Sequence, residues 1–295
     1  MNEFKNLHPI VNFTYFLFVI GFSMFFMHPV CLLISIISGF IYSVLLKGAN
    51  AIKTSLIYIL PMLIIMAIIN PLFNHAGVTI IGYLPGGNPI TLESVIYGIC
   101  SAGMIFAVIS WFSCFNQIVT SDKFIYLFGR IVPGLSLIIS MTLGFIPKFC
   151  EQLKVVGNVH KCMGNGVVEK NIIKRAKNGL SVLSVMTTWA LENAIDTADS
   201  MKARGYGIPG RTSFSIYKFD KRDVLVLICL LVFGLYTLVG TIMGELNFGF
   251  FPSVKAAEFS LYGASVFVVY LLLCVSPILI EIGEVRRWKH LRSKI

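Results

Sequence analysis

Apolar residues in this chain gather into long runs separated by short polar breaks. A helix needs about 20 mostly apolar residues to cross roughly 30 Å of hydrocarbon. Six runs meet that length: Ile10 to Met27, Val30 to Leu46, Thr54 to Pro71, Leu92 to Val119, Val224 to Met243 and Phe259 to Ile280. A seventh, Phe124 to Pro147, is apolar enough but is interrupted by Arg130 and Pro133. The pattern predicts an all-α polytopic membrane protein of about six transmembrane helices plus long cytoplasmic helices.

Composition agrees with this reading. Of 295 residues, 56% are apolar and 13% charged, about half the charged share of a soluble domain. The mean hydropathy is +0.82.

Charge divides the chain. Residues 1 to 121 carry only Glu3, Lys5, Lys47, Lys53 and Glu93, whereas residues 122 to 222 hold fifteen Lys or Arg and seven Asp or Glu. Three parts result: transmembrane helices 1 to 4 over residues 1–121, a charged segment over 122–222, and helices 5 and 6 with a basic tail over 223–295. With six spans and a cytoplasmic N-terminus, 23 of the 24 basic residues lie inside and only Lys255 outside, as the positive-inside rule requires. Counting Phe124 to Pro147 as a span moves Lys5, Lys47, Lys53, Lys123 and Arg130 outside with Lys255. That segment is therefore expected to lie at or below the inner surface. Both termini are placed in the cytoplasm. No small-residue cleavage site follows the first apolar run, and Met27-His28-Pro29 reads as a turn before a second helix, so the N-terminus is read as a retained helix and not as a signal peptide.

The remaining chemistry is sparse. The seven cysteines show no C-x-x-C spacing and the five histidines are scattered, so neither disulfide, metal site nor cofactor is expected. The loop from Phe73 to Pro89 is rich in Gly and Pro, with Gly86-Gly87-Asn88 as a candidate hairpin turn, but no P-loop pattern occurs anywhere. Gly240 and Gly244 form a small-xxx-small pair that permits close helix approach.

The charged segment predicts two helices, roughly Lys148 to Met163 and Val168 to Arg204, each ending at glycine: Gly164-Asn165-Gly166 and Gly205-Tyr206-Gly207. In the second, Leu183, Met186, Ala190, Ala194, Ala198 and Met201 recur at helical spacing as one stripe of largely small residues. At about 1.5 Å per residue this helix is on the order of 50 Å long. An Ala-Arg-Gly at a helix end is by itself a capped terminus. Two long helices ending in Gly breaks between the spans of a protein with no energy source of its own point instead to a lever whose tips meet a partner.

At these residues the chain resembles a known family. Ser121 to Phe128, Pro133-Gly134-Leu135-Ser136-Leu137, Phe145-Ile146-Pro147 and above all Ala198-Asp199-Ser200-Met201-Lys202-Ala203-Arg204-Gly205-Tyr206 are similar to the transmembrane T component (EcfT / CbiQ-type permease) of energy-coupling factor (ECF) transporters. The resemblance implies a non-catalytic scaffold of an ABC-type importer in the bacterial cell membrane. It would join two cytoplasmic ABC ATPase subunits, or a fused pair, to a small membrane S component that captures a vitamin or metal ion such as cobalt. It implies ATPase-coupling roles for Ala203, Arg204 and Gly205, with Asp199 upstream, as one helix tip. Cys162, Met163 and Gly164 stand where the family usually shows a first Ala-Arg-Gly, so there the Arg is replaced by Met, and His160 or Lys161 is a nearby alternative cation. The tips are expected to be unequal.

Three other readings stand beside this one. Asp196-x-x-Asp199 resembles half of an intramembrane prenyltransferase's magnesium-diphosphate site, but no second acidic motif exists. A stand-alone secondary transporter would need ionisable residues within its spans and, in many folds, an inverted repeat. A basic domain for nucleic acid lacks interleaved aromatics; no nucleic acid is expected as a partner.

Overall fold

The first two membrane helices begin on the same dipeptide. After the short α1 (Glu3–Asn6), His8-Pro9 opens α2 (Pro9–Phe25) and His28-Pro29 opens α3 (Pro29–Lys47). In each, the His Nδ1 accepts from the backbone N–H two residues on, at 3.3 Å. Pro supplies the first helical residue, where a missing N–H costs nothing. The computed structural model describes residues 3–83, 87–129, 133–163, 172–206, 217–256 and 260–292.

Next come α4 (Ala49–Thr54), a π-helical turn (Ser55–Ile59) and α5 (Leu60–Phe73), which follow one another without a break. The strands β1 (Ile80–Tyr83) and β2 (Pro89–Thr91) pair antiparallel about the Gly86-Gly87-Asn88 turn region, of which residue 86 lies outside the described residues. Glu93, at the start of α6 (Leu92–Ile118), accepts from the Thr79 N–H at 3.2 Å and the Thr79 hydroxyl at 2.9 Å and so folds this loop back. α7 (Ser121–Gly129), α8 (Pro133–Cys162) and α9 (Ile172–Ala203) follow. Then come α10 (Lys221–Ile242), a second small hairpin of β3 (Phe248–Gly249) and β4 (Lys255–Ala256), and α11 (Leu261–Arg292).

Four of these helices are long and apolar enough to cross a membrane, namely α3, α6, α10 and residues 261–283 of α11, with mean hydropathies of 2.0 to 2.6. Two more, α2 and α5, are apolar but shorter. The chain is an all-α polytopic membrane protein. Continuing through α4 and the π turn, residues 49–73 make one helical run of about 37 Å at 1.5 Å per residue.

The chain divides into two compact units, residues 1–124 with 217–295, and residues 125–216. In the first, Trp111 of α6 is fully buried. Its Nε1–H donates to Ser35 Oγ of α3 at 2.9 Å, and Ser35 Oγ lies 2.6 Å from Ser23 Oγ of α2. The indole meets the rings of Tyr15 and Tyr42 edge-on or tilted, with centroids 6.0 and 6.4 Å away. Gly39 faces it so closely that a Cβ there would sit 3.1 Å from the indole. Lipid is as apolar as leucine, so such close contacts and interhelical hydrogen bonds hold spans together. Tyr15 also donates to the Cys274 carbonyl of α11 at 3.1 Å. The Gly240 signal proves structural: a Cβ there would lie 2.6 Å from Val266 of α11.

The second unit departs from expectation twice. Its first long helix starts at Pro133, not Lys148, and runs through Pro147. Pro147 removes one backbone hydrogen bond, but Phe145 and Phe149 on either side of it both pack on Trp189 of α9, with centroids 5.6 and 6.3 Å away, which holds that turn in line. Second, the packed face of α9 is Val182, Met186 and Trp189, against Phe149 and Val156 of α8. Of the expected stripe, Met186 packs there, Ala190 and Met201 are half-buried, and Leu183, Ala194 and Ala198 are exposed. Bulky residues fill the α8 contact better than alanines, and Ala194 and Ala198 stay exposed.

Candidate coupling site

Phe145 and Phe149 meet Trp189 while Val156 meets Val182 and Met186, so α8 and α9 run in opposite senses along each other. Lys161, near the end of α8, lines the same groove as Ala176, near the start of α9. The end of α8 therefore sits beside the start of α9. The other tip, at Ala203, is about 40 Å farther along that helix. The two predicted tips are well separated on one hairpin.

The α9 tip is a glycine-capped turn of a defined kind. Gly205 has φ +78°, its N–H donates to the Lys202 carbonyl at 3.0 Å, and the Tyr206 N–H reaches back to the Met201 carbonyl at 3.0 Å. These two bonds are the Schellman pair, which satisfies the last carbonyls and needs a left-handed residue that glycine adopts without a Cβ clash. Ala203, Arg204 and Tyr206 are exposed at this end. No described carboxylate pairs with Arg204; the nearby Asp199 instead faces Lys202 at 3.9 Å, both side chains largely in solvent. That pair is worth a few tenths of a kcal/mol at most. Arg204 thus projects from a rigid end beside the C-terminal pole of the helix dipole. Gly205→Ala is expected to fray it: the left-handed backbone costs an alanine about 1 kcal/mol, so the amides of residues 204–206 should exchange roughly five-fold faster by hydrogen-exchange mass spectrometry.

The α8 tip is different. Cys162 and Met163 are exposed, and the Met163 N–H closes the helix on the Val159 carbonyl at 3.1 Å; Gly164 lies outside the described residues. His160 is buried, so of the two candidate cations near this tip Lys161 is the exposed one. Beside the tip, Leu153, Leu180 and Leu183, with Lys154 and Lys161, line an open groove of about 840 Å³ between α8 and α9. Sequence reading missed this groove. Its floor is shaped by Gly157 and Gly179, one on each helix, whose missing side chains leave open space, and helical periodicity within one segment cannot pair them. Among the described residues no group of three or more His, Cys, Asp or Glu is placed to hold a metal ion.

Several curated relatives of this chain share a name. The chain is 30% identical over 102 residues to the energy-coupling factor transporter transmembrane protein EcfT of Lactococcus lactis subsp. cremoris, covering 34% of this chain and 38% of the relative. This chain is similar to ECF transporter transmembrane proteins. The EcfT of Lactobacillus helveticus is 32% identical over 97 residues, 32% of this chain and 35% of its own. That of Bacillus selenitireducens is 30% identical over 111 residues, 37% and 41%. The matches span well under half the length of these EcfT relatives. No family model matches the chain.

Proposed function

We propose that the chain is the non-catalytic transmembrane scaffold of an ECF-type ABC importer. It lies in the bacterial plasma membrane with six passes and both termini in the cytoplasm, and the helical run over residues 49–73 supplies the third pass. Its partners are two ABC ATPase subunits, identical, different or fused, and a small membrane S component that binds the vitamin or metal ion. The observation that carries this reading is the α9 tip. An exposed Arg204, paired with no described carboxylate, stands on a Schellman-capped end of a 32-residue helix, at a motif that resembles the family's, in a chain similar to EcfT proteins over a third of its length.

Closing and opening of the ATPase pair displaces the tips, and the helices pass this movement to the membrane unit. Arg204 forms a charged pair with an acidic groove of one ATPase, Ala203 allows close approach, and Asp199 with Lys202 flanks the contact. The other tip, Cys162, Met163 and Gly164, docks without an arginine. There Met163, with a flexible thioether, and the leucine-lined groove beside it offer apolar contact, with Lys161 as the local cation.

Proteoliposomes test this reading. Uptake is expected only when the chain, both ATPases and an S component are present and ATP is on the ATPase side. Accumulation driven by an ion gradient through the chain alone would contradict it.

A further inference from the structure

The chain leaves the first unit after residues 121–124 and returns to it at residues 217–223, and both connections are fastened to the same short N-terminal segment. On the outgoing side, Lys123 is buried and its Nζ donates to the Lys5 carbonyl. In the amide orientation that satisfies both ends of Asn12, its nitrogen donates to the Phe4 carbonyl at 2.9 Å and its oxygen accepts from Lys123 Nζ at 2.7 Å. On the return side, the His8 N–H donates to Asp223 Oδ1 at 3.3 Å. The other carboxylate oxygen of Asp223 accepts from the Asp220 N–H at 3.2 Å and closes the capping box of α10. The His8 ring packs edge-on against Phe219, centroids 4.5 Å apart, and near Tyr217 at 6.5 Å. Asp223, Asn12 and His8 are all buried.

The two connections also lie near each other. Burial, and after it the charge of Asp122, pushes the Tyr217 hydroxyl up. Burial, and then the Lys5 cation, lowers the Lys123 ammonium to about 8. A buried cation and a buried carboxylate, about 100 residues apart in sequence, are each held by backbone groups of residues 5 to 8. Surface segments have no need of such desolvated contacts, and leaving either charge unpaired is costly.

We propose that residues 3–12 act as a clamp that fastens the outgoing and returning connections together, with Lys123, Asn12 and Asp223 as its positioning residues. The clamp is a property of the isolated chain. Its consequence for transport, that movement of residues 125–216 passes to the membrane helices instead of being lost in loose connections, rests on the scaffold reading above.

The test uses the full chain in detergent micelles, with Lys123→Met, Asp223→Asn and Asn12→Ser compared with the parent by hydrogen-exchange mass spectrometry. Loss of one hydrogen bond to a buried charge is expected to speed exchange about ten-fold or more. The informative readout is the opposite connection: Lys123→Met should speed exchange at residues 217–223, and Asp223→Asn at residues 121–124, while α3 and α6 stay protected as the control for folding. Loosening confined to the mutated connection would overturn the clamp. In the assembled importer the same variants should keep ATPase capture within about two-fold yet lower uptake about ten-fold. Normal uptake from chains whose connections have loosened would overturn the role in transmission, whereas a parent chain that captures no ATPase at all would count against the scaffold and leave the exchange result standing.

Discussion

Arg204→Ala should abolish most ATP-driven uptake while the chain still inserts and folds. The residue is exposed and makes no ion pair with a described carboxylate, so no described carboxylate loses a partner. What it loses is the charged pair across the proposed interface, and removing one partner of such a pair costs about 2–5 kcal/mol, partly because the other charge stays desolvated. ATPase capture in a pull-down should fall roughly 30-fold or more, and Arg204→Lys should recover only part of it, because a point charge does not replace the planar fork. Met163→Ala removes only apolar contact and should weaken capture by several-fold at most. Equal losses from Arg204→Ala and Met163→Ala would contradict the unequal tips.

Trp111→Ala should be the most destabilising single change in the membrane unit. The indole joins α2, α3 and α6 through the Ser35 and Ser23 hydroxyls, the Tyr15 and Tyr42 rings and the close face of Gly39. Large-to-small changes of this size cost about 3–5 kcal/mol where the cavity cannot collapse. Helices held at glycine contact distance have little room to move inward. Trp111→Phe keeps most of the volume and loses the Nε1–H bond, which should cost about 1 kcal/mol. Thermal unfolding in detergent would separate the two; equal midpoints would contradict the indole's role as the hub.

Much of this was legible in the sequence because lipid imposes simple rules. All six expected runs appear as helix, five with ends displaced by a few residues and the last continuing to Arg292, twelve residues past its expected end, since helix makes its own backbone bonds in hydrocarbon. The Gly205 stop was legible too, because a left-handed C-cap selects glycine. The course of α8 was not. Pro147 signals a break when read alone, and what overrides it is Trp189, about 40 residues downstream. The packed face of α9 was misjudged in part for a related reason: it shares Met186 with the expected stripe, but Val182 and Trp189 compete with the alanines at similar spacing, and only the placement of Phe145, Phe149 and Val156 decides which face turns inward. His28, which sequence reading places only in a turn, caps α3 and packs on Phe248 and Phe267. The clamp was hidden entirely, since Lys123 and Asp223 read as ordinary charges until the fold places residues 5 to 8 against both.

The central claim is that this chain works by holding ATPases at the tip that carries Arg204. It is tested most directly by purifying the tagged chain from its own membranes in mild detergent and quantifying what accompanies it. The account predicts two ABC ATPase subunits, or one fused pair, and a small hydrophobic membrane protein, with the ATPases lost from Arg204→Ala. A chain that purifies alone and transports or turns over a substrate unaided would contradict it.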